Sequence, residues 1–283
     1  MSGADPNQLF PGRLLVVVPH MDDCVLGCGG TMARLRNKGR INLLYVTDGM
    51  ASPAPVLPWR DRVSPELFSI RKQEARKALK YLGVPQSNIF FLGLPDGQLK
   101  NHKRELDHLL IEKIIQIHPD HLLVPFRYDR HADHLAINHA VIDAWQKEDL
   151  QSDLFEYFVY HHWRLLPGQD VRKYIYPEFL MQVEIEEVAD RKRAALDLFK
   201  SQTTKFYDWQ QRPNLTPQLL DDFSQAPEFF LKYDPLWPGT KIFTGSVAWI
   251  GLIHWLEPRM KEKKDWAVNL WRRGFVKNGI YTG

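Results

Sequence analysis

The chain has 283 residues, 44% of them apolar and 25% charged, which is enough for a large α/β core. A formal net charge of only +3 gives no global reason to expect a nucleic-acid partner. No apolar run reaches the length of a membrane-spanning helix, and the start, MSGADPNQLFPGR, lacks the basic-then-apolar order of a secretory signal.

Residues 1–12 read as a flexible lead. Leu14–Val18, LLVVV, is a continuous apolar run of the kind found in a strand covered on both faces. Val25–Lys38 predicts a helix ending at Gly39, and Ile41–Thr47 a second strand closed by Asp48-Gly49. A proline-rich loop follows. Ser64-Pro65-Glu66 then predicts a helix start that runs to about Leu82. Ile89–Leu92 is a short third strand entering the turn LPDG. Glu105–Ile117 is helical, His121–Val124 a fourth strand, and Asp133–Gln146 the next helix. Strands that alternate with helices predict a Rossmann-like, doubly wound, mostly parallel sheet flanked by helices.

Beyond residue 150 the pattern loosens. Leu154–Tyr160 and Phe179–Ile185 read as strands and Glu187–Lys200 as a helix, while 205–240 shows weak periodicity. From Trp249 onward, Trp255, Trp266 and Trp271 stand among Arg259, Lys261, Lys263, Lys264, Arg272, Arg273 and Lys277. This α/aromatic-rich extension either packs as an amphipathic helix or makes peripheral contact with an anionic membrane. The expected organisation is the lead 1–12, a domain over 13–202, and an extension over 203–283 packed on or continuing that domain. Cys24 and Cys28, the two cysteines, are spaced as helix neighbours rather than as a cross-link. That spacing suggests a reducing, cytoplasmic setting, with the inner face of a membrane as the other possibility. The oligomeric state is not readable.

The chemistry lies at the strand ends. The most hydrophobic strand stops abruptly at His20, Asp22 and Asp23, two adjacent carboxylates that are costly to bury without a partner. A second cluster, RYDRHADH, leaves strand four and supplies His131, Asp133 and His134. With strand order 3-2-1-4-5 the two clusters face one another across the crevice where ligands bind in open α/β sheets. A divalent cation would make the paired acids tolerable. His20, Asp23 and His134 form a suitable three-ligand set, which leaves Asp22 beside the metal to accept a proton. GCGGTM does not fit a dinucleotide fingerprint, and its glycines suit close packing of the first helix.

His20-Met21-Asp22-Asp23 with Leu26-Gly27-Cys28-Gly29-Gly30, and later His131-Ala132-Asp133-His134, resemble the PIG-L/LmbE-like zinc-dependent N-acetylglucosaminyl deacetylases. Supporting fragments are Arg71 and Glu74 in RKQEARKALKYLGV, Asp96 in LGLPDG, and Ser201 and Gln202 in KRAALDLFKSQ. The resemblance implies His20, Asp23 and His134 as zinc ligands and Asp22 as general base. It further implies His131 as general acid and electrophile steadied by Asp133, with Arg71 and Asp96 at the sugar hydroxyls. The family usually has proline where Met21 and Ala132 stand, and glutamate where Cys24 stands.

The expected activity is therefore hydrolysis of the N-acetyl group of an N-acetylhexosamine-containing sugar or glycoconjugate, with Zn2+, Fe2+ or another divalent ion as cofactor. The carrier of the sugar is not readable. Two rivals stay open. One is a non-haem Fe(II) oxygenase using His20, Asp22 and His134 as a facial triad. The other is a non-catalytic sugar-binding module that keeps its metal for structure.

Overall fold

The computed structural model describes residues 3–54, 62–127, 129, 131–159, 164–166, 169–170 and 176–233. After a single helical turn, α1 (Pro6–Leu9), come β1 (Leu14–Val18), α2 (Asp23–Arg34), β2 (Ile41–Thr47), α3 (Leu67–Leu82), β3 (Ile89–Leu94), α4 (Lys103–Ile117), β4 (His121–Pro125), α5 (Ala132–Lys147) and β5 (Asp153–Tyr157). A short ribbon, β6 (Arg164–Leu166) with β7 (Gln169–Asp170), forms a separate two-stranded sheet among the described residues. Then follow β8 (Leu180–Val183), α6 (Ala189–Leu196), α7 (Lys200–Thr203), α8 (Pro217–Gln225) and β9 (Glu228–Lys232).

The main sheet runs β3-β2-β1-β4-β5-β9-β8, with β3, β2, β1, β4 and β5 parallel. Strands β9 and β8 extend it, β9 antiparallel to both of its neighbours. Every residue of β1, β2 and β4 is buried, which explains their mainly apolar character, interrupted by Asn42, Thr47 and His121. Val16, Val18, Leu43 and Tyr45 join one core with Met32, Ala75, Leu79 and Leu196, from α2, α3 and α6. Leu15, Val17, Leu44 and Val46 join the other with Leu106, Leu110, Ile137 and Val141, from α4 and α5. At about 1.5–3 kcal/mol for each fully buried aliphatic side chain, these two faces dominate the fold. Leu14 pairs with Ile41 on one side and His121 on the other, so β1 and β4 are neighbours and leave the sheet at the same edge.

Several boundaries differ from expectation for local reasons. Helix α2 begins at Asp23 rather than Val25 and ends at Arg34, with residues 38–40 forming a separate 3-10 turn. It also kinks at Cys28, whose φ is -144°. The kink frees the Gly30 and Thr31 amides, and the Glu228 carboxylate of β9 accepts both at 2.7 Å. Lys192 balances that buried charge at 2.9 Å. A Cβ on Gly30 would lie 2.5 Å from Ile185, and one on Gly27 2.6 Å from Tyr157, so the glycines do let this helix pack closely. Helix α3 starts at Leu67 instead of Ser64, whose hydroxyl accepts from the Glu66 amide. The helix expected over Glu187–Lys200 is shorter, Ala189–Leu196, followed by the single turn α7. The segment 205–240, which looks weakly periodic, contains α8 and the internal strand β9. The expected tryptophan-rich and basic stretch from Trp249, and His161-His162, lie outside the described residues. No helix among the described residues is long and apolar enough to cross a membrane.

Candidate active site

The β1–α2 turn carries His20, Asp22 and Asp23. Thr47 at the end of β2 ties the turn down, its hydroxyl donating to the Pro19 carbonyl at 2.8 Å. The β4–α5 connection carries Asp129, His131, Asp133 and His134. Three atoms from the two segments converge: His20 Nδ1, Asp23 Oδ2 and His134 Nε2, separated by 2.9, 3.1 and 3.3 Å. All three residues are buried, at 9%, 3% and 1% exposure.

The far nitrogen of each imidazole meets a carboxylate. His134 Nδ1 lies 3.0 Å from Asp129 Oδ2. His20 Nε2 lies 3.1 Å from Asp96 Oδ1 and 3.5 Å from Asp133 Oδ2. This is the arrangement that fixes the tautomer and orientation of a metal-ligating histidine. Burial opposes charge on His20, yet Asp23, Asp133 and Asp96 outweigh it and raise its pKa well above the usual value. For His134, Asp129 and Asp23 likewise overcome burial and lift it to about 9. The two imidazoles hold Asp23 far below the usual carboxylate range despite burial.

The donor set fits a divalent ion. Ligand bonds of about 2.0–2.2 Å at the tetrahedral angle place donor atoms about 3.3–3.6 Å apart, so the triangle would need to open by only a few tenths of an ångström. The charge fits as well, because the two protons drawn onto His20 and His134 supply what one dication would supply to the surrounding acids. His20, His131 and His134 form a further group whose ligand atoms lie within 4.8 Å of one another, as do His20, Asp96 and Asp133.

Asp22 stands at the N-cap position of α2, but its side chain makes no capping bond. Its Oδ1 instead accepts from Arg71 Nη2 at 3.0 Å. Burial pushes the Asp22 pKa up, Arg71 pulls it down, and the net direction is up.

Arg71 is expected at sugar hydroxyls, yet it is 1% exposed. Its other arm donates to the carbonyls of Gly49 at 2.7 Å and Ser52 at 3.3 Å. Asp96, the other residue expected at the sugar, also accepts from the Ala51 amide at 3.0 Å, and its contacts with His20 help lower its pKa to about 2.

Asp133, expected to steady His131, meets it through its backbone while its carboxylate turns elsewhere. That carboxylate accepts from the amides of Gly97 at 2.6 Å and Leu99 at 3.2 Å. It is the Asp133 backbone amide that donates to His131 Nδ1, at 3.3 Å. The neutral ring therefore carries its proton on Nε2. Burial and the neighbouring His20 and His134 lower the His131 pKa to about 4. The His131 ring packs edge-on against His20, centroids 4.5 Å apart.

Cys24, in place of the family's glutamate, lies 3.1 Å from the Tyr45 hydroxyl, and burial pushes its thiol up to about 12, so the position is neutral. Sequence reasoning missed Asp129. The available signal was an acid two residues before His131 and five before His134, at the edge where the ligands gather.

Residues 15–145 match the family described as PIG-L, GlcNAc-PI de-N-acetylase. No curated protein matches the chain. Among solved structures, the conserved protein TT1542 from Thermus thermophilus is 25% identical, with 80% of this chain and 95% of that one covered and a TM-score of 0.55. The N,N'-diacetylchitobiose deacetylase from Pyrococcus horikoshii is 19% identical, with 87% and 91% covered and a TM-score of 0.57. GalB, the 4-carboxy-2-hydroxymuconate hydratase from Pseudomonas putida, is 16% identical, with 79% and 97% covered and a TM-score of 0.52. The fold is common to all three, and it carries more than one chemistry.

Proposed function

We propose that this chain is a metal-dependent hydrolase that removes the N-acetyl group from an N-acetylhexosamine in a sugar or glycoconjugate, leaving acetate and an amino sugar. The observation that carries the reading is the buried triangle of His20, Asp23 and His134 with the carboxylate of Asp22 beside it. The PIG-L match and the deacetylase activity named for the Pyrococcus horikoshii neighbour support the choice of an acetylated sugar. His20 Nδ1, Asp23 Oδ2 and His134 Nε2 would hold one divalent cation, and two imidazoles with one carboxylate suit zinc. When bound, the cation supplies Lewis acidity and lowers the pKa of its water to about 7.

The protein's own residues do the rest. Asp22, the carboxylate left outside the ligand triangle, accepts the proton of the attacking water. Arg71 keeps that carboxylate aimed. His131, neutral and protonated on Nε2, donates a hydrogen bond to the oxyanion as it forms. The proton taken up by Asp22 balances the step when it is delivered to the departing nitrogen. Asp96 and Asp133 hold His20, and Asp129 holds His134.

The same donors also suit Fe(II), but the third ligand is then Asp23, because Asp22 is taken up by Arg71. Zinc- and iron-loaded protein should be offered N-acetylated glycans and glycolipids while acetate release and oxygen uptake are measured in parallel. Acetate without oxygen uptake is the expected result. Asp22→Asn should abolish release while retaining the metal, and near-normal release by that variant would overturn the assignment of the base. A sugar-binding module would bind members of the panel and release nothing.

A further inference from the structure

Ser201 and Gln202 take no part in the chemistry above, yet they connect to it through a continuous set of bonds. Glu74, on α3, accepts from the Ser201 amide at 2.8 Å and the Ser201 hydroxyl at 2.6 Å. That fixes the short turn α7, on which Gln202 is 2% exposed. Gln202 Nε2 donates to the Ser52 carbonyl at 3.3 Å, and its Oε1 accepts from the Ser52 hydroxyl at 3.1 Å. Asn214 closes the bracket, its amide donating to Ser52 Oγ at 2.7 Å and to Gln202 Oε1 at 2.9 Å.

The Ser52 carbonyl held in this way is one of the two that receive Arg71 Nη1. The other belongs to Gly49, where φ is +68° and a Cβ would lie 2.8 Å from that nitrogen. Arg71 Nη2 then meets Asp22. Besides Arg71, the Asp96 carboxylate at Ala51 and the Gln202 amide at Ser52 thus hold the 49–52 loop.

We propose that Gln202, assisted by Asn214, is a positioning residue for the reaction. It sets the Ser52 carbonyl, the carbonyl sets Arg71, and Arg71 sets the carboxylate that receives the water's proton. The proposal rests on the reading of Asp22 as base. It gives a role to residues 200–215, which lie outside the segment matched by the family. A misplacement of about 1 Å at a reacting group costs about 100-fold in rate, so a carboxylate that drifts with its arginine should show in turnover and not in metal binding.

The test uses the full chain as wild type, Gln202→Met, Gln202→Glu and Asn214→Ala. Gln202→Met keeps the volume and loses every side-chain hydrogen bond. Gln202→Glu keeps the acceptor and loses the donor. Asn214→Ala changes an exposed residue and so should fold whatever the buried variants do. The readouts are kcat and KM for acetate release per bound zinc, zinc affinity, hydrogen exchange of the amides in 48–54, and the position of Arg71 in crystals of each variant.

Gln202→Met should lower kcat about 10- to 100-fold with KM within about twofold and zinc affinity unchanged, while the Met50 and Ala51 amides exchange at least about tenfold faster. Gln202→Glu should fall between it and wild type, and Asn214→Ala should show a smaller loss of the same kind. A purely structural glutamine would lower the melting temperature and the folded fraction but leave kcat per bound zinc and loop exchange alone, and that result overturns the proposal. If wild type releases no acetate, the deacetylase reading fails separately. Exchange and the Arg71 position then decide the bracket, and an unmoved arginine in Gln202→Met and Asn214→Ala overturns it.

Discussion

Replacing Asp129 with asparagine should weaken metal binding more than the same change at Asp96. Asp129 is 6% exposed, and its two oxygens are divided, Oδ2 to His134 Nδ1 at 3.0 Å and Oδ1 to the His131 amide at 3.0 Å. Asparagine keeps the shape and one oxygen acceptor but removes the negative charge that makes His134 a strong donor to a cation. Loss of such a partner typically costs about 10–100-fold in metal affinity, or about 1.4–2.7 kcal/mol. The geometry ranks the two sides. His20 Nε2 is shared between Asp96 at 3.1 Å and Asp133 at 3.5 Å, so one carboxylate stays behind when the other is neutralised. Asp129→Asn should therefore fall toward the 100-fold end and Asp96→Asn toward the tenfold end. Zinc affinity measured by competition with a chelator of known strength, at fixed pH, gives both numbers. Equal losses, or a larger loss at Asp96, would refute the claim that these carboxylates act through the histidines they touch.

Three further outcomes follow from the same contacts. Arg71→Met breaks a buried ion pair and should destabilise the metal-free protein by about 3 kcal/mol in urea unfolding, the low end of the usual 3–5, because Asp22 can take up a proton in response. His131→Gln should cost about 10²–10³ in kcat and leave zinc affinity unchanged, as befits an oxyanion donor outside the ligand triangle. Burial raises the Glu74 pKa above its unfolded value against the pull of Ser201, so the folded state holds the proton longer and stability should fall as pH rises through the window just above 4.5. Glu74→Gln should flatten that slope in denaturant titrations, and an unchanged slope would count against it.

The central strands are legible because burial on both faces favours continuous apolar runs: LLVVV is one outright, and INLLYVT is one apart from Asn42 and Thr47, whose side chains bond to backbone carbonyls. The convergence of His20 with His134 follows once β1 and β4 are neighbours, a matter of topology. Contacts decided by single side chains at long range are not legible in the same way. Nothing local to RKQEARKALKYLGV says that Arg71 turns inward to an aspartate 49 residues earlier. Nor does EFFLK reveal that Glu228 is buried to receive amides freed by a kink in α2, 197 and 198 residues away. The Asp133 carboxylate escapes sequence reasoning for a similar reason. Proximity along the chain suggests His131, but the Pro95–Leu99 turn offers two amides, and backbone donors without other partners are stronger claimants on a buried carboxylate than a ring whose charging burial opposes.

The adjacent aspartates at the end of β1 illustrate how one turn can support two opposite electrostatic states. Being adjacent, Asp22 and Asp23 send their side chains to different partners at the mouth of α2. Asp23 meets two imidazoles and is held strongly ionised, as a ligand must be. Asp22 is buried too, but it meets one guanidinium that is shared with two carbonyls; burial outweighs that pull and its pKa moves up instead. A guanidinium shared in this way compensates the buried carboxylate without binding its proton site as tightly as a dedicated partner would. If both acids faced the histidines, neither could serve as a proton acceptor near neutrality, and if both faced Arg71, the triangle would lose its anion. The division of labour therefore depends on Arg71 staying on the Asp22 side, and that in turn depends on the 49–52 loop to which it is bonded.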